Sequence, residues 1–404
     1  MTDRAGQYKH ARRYPLGAAV TLAELREDSH PALARLRAAE PVSWVRVLNG
    51  WLVTRWDLAA AVMRDSATFT VDDPRFSTAR IVGPSMLSLD GAGHDRHRRP
   101  FAAPFSRSGV HDQLAAFVTG EADRLAGVMR PAGRGDLSRS LAAPLAVAVV
   151  ARALGLGQVD PGIILAWYDA IVGAVSDLAA DSAPARSARG AAGTAAFGQL
   201  SDSLAAVIEG PADGSLLAAA VQPGLSMPEI ISNAAVLMFG GIETTEGMIA
   251  NAAWHLLSHR DQLDLVRGDP GLLPQAIEES LRLEPAAAVV DRYATRPVEL
   301  GDAAISPGDL VSVSLAGAGR DPAVFTDPDR FDVHRDNARQ NLAFARGPHF
   351  CLGVHLARLE AQAALDAALR QLPGLRLDPD PGPAPQGLVF RKPPSLPVRW
   401  DAAG

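Results

Sequence analysis

The stretch FARGPHFCLG (344–353), which contains the only cysteine of the chain, is the part of the sequence that decides the fold. Gly347 and Pro348 favour a non-helical loop, and the apolar spacing of VHLARLEAQAALDAALRQL (354–372) predicts a helix directly after it. Unpaired N–H groups and the dipole at the start of a helix favour a thiolate over a thiol at Cys351. A lone thiolate without zinc-type partners is a candidate axial metal ligand, although a bare cysteine is more often a small buried hydrophobe.

The composition of the whole chain excludes several classes of protein. With 404 residues, 48% hydrophobic and 21% charged, the chain can form a large core and is not globally disordered. Its net charge of −6 argues against nucleic acid as a general partner, and a single cysteine excludes an internal disulfide or a CxxC site. We see no secretory signal and no apolar run of about 18 residues, so neither a membrane span nor a membrane partner is expected. These features predict a soluble protein of a reducing compartment, the cytoplasm.

The hydrophobic periodicity predicts a mainly α protein with small β-sheets. Apolar residues at helical spacing recur up to about residue 283, for example in HDQLAAFVTGEADRLAGVM (111–129). Short strand-like runs lie in the N-terminal region, in residues 285–315 and at the C-terminus. In the N-terminal region, Asn49-Gly50 between β-prone runs predicts a tight hairpin in which both turn residues have positive φ.

The chain is expected to fold as a single domain over residues 15–404, after a flexible N-terminal tail over residues 1–14. The segment LAADSAPARSARGAAGTAA (178–196) is rich in small residues and contains proline and glycine, so it is a candidate for a mobile surface connection. An inert linker would have the same composition.

A long helix is predicted over residues 227–258, which at about 1.5 Å per residue would cross the whole molecule. Ser226 and Glu229 form a capping box at its start. Two adjacent glycines, Gly240 and Gly241, lie in its middle, where each costs about 1 kcal/mol relative to alanine. A close approach to the backbone or a local opening of the helix would explain them, and so would packing of two helices through small residues. The Thr244 hydroxyl can bond to the Gly240 carbonyl.

The cysteine loop resembles the cysteine-ligand loop of the cytochromes P450, usually written F-G-x-G-x-H/R-x-C-x-G. Phe344, Gly347, His349, Cys351 and Gly353 match that pattern. At position 345 an alanine stands where the family often has glycine, which slightly stiffens the loop. The resemblance extends over roughly residues 15–400 and implies the triangular-prism P450 fold, with a haem between the long central helix and the cysteine-loop helix.

The same resemblance assigns roles to the long helix and to a later ion pair. GGIETT (240–245) is similar to the oxygen-activation groove of the family, which implies Gly240 and Gly241 facing the iron and Glu243 and Thr244 acting as an acid–alcohol pair. The family's structural E-x-x-R motif matches Glu279 and Arg282, with Arg335 as a third member. Glu278 is also within one helical turn of Arg282, so spacing alone does not choose between the two glutamates.

The resemblance implies haem b (iron protoporphyrin IX), with Cys351 as the iron ligand and Phe344 and Gly353 beside it. The stretch DGAGHDRHRR (90–99) matches the family's H-x-x-x-R element, so His94 and Arg98 are expected to bind a haem propionate. Arg292 and His349 match further propionate contacts. From the residues alone, the 90–99 stretch would be a solvated basic helix face.

The implied function is that of a soluble bacterial-type P450 mono-oxygenase that uses O₂ and two external electrons. No flavin or nicotinamide motif is visible, so the expected donor is a ferredoxin with its reductase. The reaction would be hydroxylation, epoxidation or oxidative coupling of a mostly apolar small molecule in secondary metabolism, catalysed by a monomer. The alternatives are a peroxide-dependent peroxygenase, which the intact Glu243–Thr244 pair disfavours, and a non-catalytic haem-binding sensor.

The sequence leaves the substrate open. Segments expected to line the pocket contain apolar residues, namely Phe69, Phe76, Ile81, Val82, Met86, Leu87, Phe239, Ala288, Val289, Val290 and Phe390. Asp72, Asp73, Arg75 and Arg80 could anchor a polar group of the substrate, or they could be solvated loop charges.

Overall fold

The computed structural model describes residues 10–179, 186–210, 214–221 and 224–401. The chain is mainly α-helical, as predicted. The helices are α1 (Pro15–Ala19), α2 (Leu22–Arg26), α3 (His30–Ala39), α4 (Trp56–Arg64), α5 (Ser77–Val82), α6 (Gly91–Ala102), α7 (Arg107–Met129), α8 (Ala143–Ala153), α9 (Pro161–Ala179), α10 (Arg186–Glu209), α11 (Leu216–Ala220), α12 (Met227–Ser258), α13 (Arg260–Gly268), α14 (Leu273–Leu283), α15 (Leu315–Ala318) and α16 (Val354–Gln371). A π-helical turn, Ser138–Ala142, leads into α8.

Most strands come from the three predicted regions of the chain, but one lies at residues 134–136, within the stretch predicted as mainly helical. The strands are β1 (Val42–Val45), β2 (Gly50–Val53), β3 (Phe69–Thr70), β4 (Arg134–Asp136), β5 (Val289–Ala294), β6 (Val298–Leu300), β7 (Ala303–Ile305), β8 (Leu310–Ser314), β9 (Arg376–Leu377) and β10 (Pro397–Arg399). The largest sheet has the order β1-β2-β8-β5-β3, in which β2 and β8 are parallel. The other sheets are β4-β10-β9 and β6-β7.

The predicted hairpin exists, but its turn differs from the prediction. β1 and β2 pair antiparallel, with Val45 opposite Gly50. Residues 46–48 form a 3₁₀ turn, and Asn49 alone adopts the left-handed conformation, at φ 49°. The observed loop therefore consists of residues 46–49. A two-residue turn would have included Gly50, but here Gly50 is the first residue of β2.

Two predictions of flexible segments need correction. His10 stacks on Trp44 with ring centroids 4.7 Å apart, and Tyr14 packs against Trp51, so the tail does not extend to residue 14. Residues 1–9 lie outside the described part. Most of the segment 178–196 is helical, because α10 begins at Arg186 and α9 continues to Ala179. Alanine is the best helix former, and the small-residue composition therefore favoured a helix over a loop there. Residues 180–185 of this segment lie outside the described part.

The long helix α12 has the predicted bounds and lies in the main hydrophobic core. The Ser226 N–H and hydroxyl both donate to the Glu229 carboxylate, at 2.8 and 2.9 Å. Helix α12 packs against α8, α14 and α16. The cysteine loop at the start of α16 therefore lies across a cavity from the middle of α12. No helix in the described part of the chain is long and apolar enough to cross a membrane.

A buried ion network supports the loops before the cysteine. Arg282 pairs with Glu279 at 2.7 Å, both side chains are fully buried, and Arg335 pairs with the same carboxylate at 2.9 Å. The predicted structural triad is therefore formed, and the structure chooses Glu279 over Glu278. Gly319 belongs to this network, because its carbonyl accepts a bond from Arg282 and an added Cβ would lie 2.0 Å from the Arg282 carbonyl oxygen.

Candidate active site between the long helix and the cysteine loop

A cavity of about 280 Å³ lies between α12 and the cysteine loop. Its wall on the α12 side includes Gly240, Gly241 and Thr244, and its wall on the loop side includes Phe344 and Cys351. The remaining lining is mostly apolar and includes Met86, Leu87, Phe105, Val236, Leu237, Met248, Leu281, Val290 and Leu315. The structure therefore brings together two motifs that are more than 100 residues apart in the sequence.

The two glycines of α12 are explained by different neighbours. A Cβ added at Gly240 would meet no other atom within 4 Å, so this glycine opens the helix surface to the cavity. A Cβ at Gly241 would lie 2.5 Å from the Val150 side chain, so this glycine also allows α8 to pack closely against α12. The Thr244 hydroxyl donates to the Gly240 carbonyl, as expected, and α12 remains helical throughout.

Glu243 does not face the cavity with Thr244. Its carboxylate accepts a hydrogen bond from the Tyr168 hydroxyl of α9, and its other oxygen lies 3.8 Å from the Lys392 ammonium. Within the described part of the chain, no hydrogen bond joins Glu243 to Thr244. The expected acid–alcohol pair is therefore adjacent in sequence but separated in this conformation, because the two side chains leave the helix in different directions.

The cysteine loop is closed by a hydrogen bond from the Cys351 N–H to the Phe344 carbonyl, at 2.9 Å. Gly347 has φ +73°, and a Cβ there would lie 2.5 Å from the Met63 carbonyl oxygen. Glycine is therefore required at that position. Ala345 also has positive φ, at +59°, a region that alanine seldom adopts.

The expectation of a thiolate favoured by the helix start is not met by the polypeptide alone. Burial raises the pKa of the Cys351 thiol, and the opposing Gly353 N–H, Arg98 and Arg358 do not reverse that effect. The thiol lies among apolar groups, where a charge is poorly solvated. Deprotonation then requires a bound cation, since metal coordination removes the proton of a thiol.

Of the residues expected to bind propionates, Arg98 and His349 line the cavity, whereas His94 and Arg292 are not among the lining residues. The rings of His94 and His349 are 4.5 Å apart, and Nε2 of His349 bonds to Asp90 at 2.8 Å. Arg98 donates to the Phe350 carbonyl at 2.6 Å, and Arg292 donates only to the carbonyl of its neighbour Asp291. Sequence reasoning missed Asp90. Although burial alone would raise its pKa, bonds from His349, Thr70 and the Val71 N–H lower the pKa of Asp90 to about 2.

These residues fit a haem. Arg98 and Arg292 have their pKa lowered by burial, and in the described part of the chain neither pairs with a carboxylate. Nε2 of His94 is buried without a partner. Buried polar groups without partners are rare, so the unpaired His94 Nε2, together with two arginines that bond only to carbonyls among the described residues, indicates an anionic ligand. Next to the thiol, a Cβ at Gly353 would meet only the Cys351 sulfur, at 4.0 Å, which leaves room for a flat ligand.

Only part of the expected substrate pocket lines the cavity, namely Met86, Leu87 and Val290. Val82 and Ala288 are buried in the core instead. Of the loop charges, Arg75 pairs with Asp73 at 2.8 Å and stacks over the Tyr293 ring at 4.2 Å, so these two charges neutralise each other.

Comparisons with known proteins agree with this geometry. The family described as "Cytochrome P450" matches residues 270–394. "Cytochrome P450 monooxygenase PikC" of Streptomyces venezuelae is 37% identical over 92% of this chain and 91% of that protein. "Nocardicin C N-oxygenase" of Nocardia uniformis subsp. tsuyamanensis is 34% identical over 96% of this chain and 98% of that protein. The crystal structure of CalO2 superposes with a TM-score of 0.85 at 32% identity, covering 95% of this chain and 98% of that one.

Proposed function

Because the chain belongs to the cytochrome P450 family and is a P450 mono-oxygenase, we propose that it binds haem b through Cys351 and oxidises a mostly apolar small molecule in natural-product biosynthesis. The observation that carries the proposal is a single apolar cavity lined by the Cys351 thiol, Arg98 and His349, where Arg98 pairs with no carboxylate of the described residues and the His349 ring lies 4.5 Å from that of His94. The relatives named above are an N-oxygenase and a mono-oxygenase, which supports the same reaction class. The similarity spans nearly the whole chain, which supports a single domain over residues 15–404.

The chain's own residues would perform distinct tasks around the cofactor. Cys351 would bind the haem iron through its sulfur, and Arg98, Arg292, His94 and His349 would hold the propionates. Bound there, the haem would supply reductive activation of O₂. Thr244 lies at the cavity wall, where its hydroxyl donates to the Gly240 carbonyl and can accept a hydrogen bond from a water molecule; if the hydroxyl turns away from that carbonyl, it can donate to an oxygen atom in the cavity instead.

Glu243 would bring protons from the outer side of α12, since a carboxylate can accept and release a proton near neutral pH more readily than a hydroxyl. The Thr244→Ala variant then separates NAD(P)H consumption from product formation. We expect product per NAD(P)H to fall by about tenfold, a modest value for a positioned proton donor, with hydrogen peroxide formed instead. An unchanged product yield would show that Thr244 has no such role.

A basic surface supports a ferredoxin as the electron donor. Arg99 and Arg107 are exposed, and Arg346 and Arg358 extend the surface beside the cysteine loop. The positive charge of Arg358 is partly neutralised, since it pairs with Glu278 at 2.5 Å. Arg96 does not contribute to this basic surface, because it pairs with Glu229. An acidic partner would be attracted by this face, so reduction should slow as ionic strength rises.

The decisive experiment combines a spectrum and a turnover assay. The reduced, CO-bound wild type should show the far-red Soret band, and Cys351→Ser should lose it, because a serine hydroxyl is a poor ligand. Product should form with ferredoxin, reductase, NAD(P)H and O₂. Product formed only with peroxide would indicate a peroxygenase, and CO binding without any product would indicate a sensor. A variant that keeps the band would overturn the proposal.

A further inference from the structure

A polar cluster lies on the outer side of α12, away from the cavity wall. It contains Tyr168 of α9, Glu243 and Glu246 of α12, Ser138 of the π-helical turn and Lys392 of the C-terminal segment. The Lys392 ammonium is 2.5 Å from one Glu246 oxygen, and the Ser138 hydroxyl donates to the other at 2.8 Å. The same ammonium is 3.8 Å from Glu243, whose second oxygen accepts from Tyr168. Five groups from four segments thus share one bonded network.

The Tyr168 hydroxyl donates a hydrogen bond to Glu243 but does not transfer its proton to that carboxylate. Its ring is 6% exposed and lies 6.2 Å from the Phe239 ring, which limits its movement. Burial, followed by the negative charge of Glu243, raises the pKa of Tyr168 far above its ordinary value. The phenol therefore stays neutral, and its hydroxyl remains a donor to the carboxylate.

Lys392 is shared unequally between two carboxylates. It is closer to Glu246, and the bond from Ser138 keeps Glu246 in place. Glu243 therefore receives one direct hydrogen bond from Tyr168 and a longer ionic attraction from Lys392. Neither partner is among the residues that line the cavity, whereas Thr244 is, so both oppose a turn of the Glu243 side chain toward the cavity.

We propose that Tyr168 and Lys392 are positioning residues that hold the Glu243 carboxylate away from Thr244 and thereby limit the proton supply of the site. This inference rests on the proposed function, in which Glu243 supplies the protons. In each delivery, the Glu243 carboxylate takes a proton from a solvent hydronium ion and releases it to a water molecule at Thr244, which returns Glu243 to the carboxylate form. Tyr168 and Lys392 keep their own protons, so no other group changes its charge.

The first test removes the phenol hydroxyl. Tyr168→Phe should raise the turnover rate about two- to fivefold, as expected for the loss of one neutral hydrogen bond, and should lower the solvent isotope effect. Lys392→Met should act in the same direction and Lys392→Arg should restore the wild-type values. Tyr14→Phe is the matched control, because the Tyr14 hydroxyl bonds to the Asp302 carbonyl far from this cluster.

The second test places the same changes in a Glu243→Gln background, where the isotope effect should no longer respond to Tyr168→Phe. A response that persists there would overturn the inference, since the two residues would act without Glu243. A wild-type solvent isotope effect near one would also overturn it. If Glu243 is held away from Thr244, proton delivery is slow and the isotope effect must lie above one. If the wild type forms no product at all, the proposed function fails instead.

A third measurement does not depend on turnover. The only lysines of the chain are Lys9 and Lys392, so lysine labelled with ¹³C at the ε position gives two NMR signals. In the reduced, CO-bound and therefore diamagnetic enzyme, Glu246→Gln should shift the Lys392 signal and leave the Lys9 signal unchanged. A Lys392 signal that does not respond to Glu246→Gln would show that the network does not exist in solution.

Discussion

Two sets of arginines in this protein differ in how their charge is satisfied: Arg282, which is fully buried, and the pair of Arg98, which is half-buried, and Arg292, which is buried. Arg282 is fully buried and donates to the Glu279 carboxylate and to the carbonyls of Gly319, Pro328 and Arg330. Arg98 and Arg292 each donate to a carbonyl and, in the described part of the chain, pair with no carboxylate. Removing one partner of a fully paired buried charge destabilises the fold, whereas an arginine without an acid marks a place for an anionic ligand.

The largest expected effect concerns Arg282, whose charge is fully paired. Arg282→Leu leaves the buried Glu279 carboxylate with Arg335 and the Asp332 N–H but without its fully buried partner, so the free energy of unfolding should fall by about 3–5 kcal/mol, with or without haem. Denaturant unfolding measures it. The control is Arg370→Met, which removes an exposed pair with Asp123 and should change stability by less than about 1 kcal/mol. Equal effects of the two variants would contradict the distinction between buried and exposed pairs.

The second effect concerns Arg292, which pairs with no carboxylate of the described residues. Its removal should weaken haem binding and leave the free energy of unfolding of the haem-free protein nearly unchanged. Arg292→Leu removes a buried charge without an acidic partner, so the haem-free protein should be as stable as the wild type or slightly more so. Haem affinity should weaken by about 10- to 100-fold, the size usual for residues that support a metal group. Haem transfer to an acceptor protein measures it. If the haem-free variant loses as much stability as Arg282→Leu, the two sets do not differ.

A smaller effect concerns Asp90 and the pH dependence of the free energy of unfolding. Its folded pKa of about 2 lies below the ordinary value of 3.8, so its contribution is complete above the unfolded pKa and is lost as pH falls through the folded one. By linkage this contribution amounts to about 2 kcal/mol. Asp90→Asn should therefore lower stability at pH 6 and flatten the fall in stability between about pH 4 and pH 2. An unchanged acid profile would show that His349 does not hold the carboxylate in solution.

The features that could be predicted from the sequence are those set by neighbouring residues. The capping box fixed the start of α12, and the i,i+3 spacing offered the Glu279–Arg282 pair, although only the fold chose between Glu278 and Glu279. Features that depend on distant segments escaped prediction. Asp90 faces His349 across 259 residues of sequence, and Tyr168 reaches Glu243 across 75. A local pattern carries no information on which of several polar residues meets a distant partner.

The same limit applies to the departure at position 345. The sequence showed alanine where the family often has glycine, but only the backbone angle of +59° reveals what the alanine means for the loop. A non-glycine residue in the left-handed region loses about 1–2 kcal/mol. This places strain beside the cysteine, on the loop whose closing bond joins Phe344 and Cys351.

The smallest expected effect is the relief of this strain by Ala345→Gly. The substitution removes about 1–2 kcal/mol of backbone strain, but the freer unfolded chain opposes it by about 0.4–1 kcal/mol. Ala345 is only half-buried, so the lost methyl group opposes it by less than about 0.8 kcal/mol. At the middle of each range the balance is a gain of about 0.4 kcal/mol, measured by denaturant unfolding of the haem-free protein. The neighbouring Gly347→Ala should do the opposite, because its Cβ would lie 2.5 Å from the Met63 carbonyl oxygen and 2.9 Å from the Arg64 Cα. If Ala345→Gly destabilises the protein as strongly as Gly347→Ala, the alanine methyl group contributes more to stability than the backbone strain at φ +59° costs.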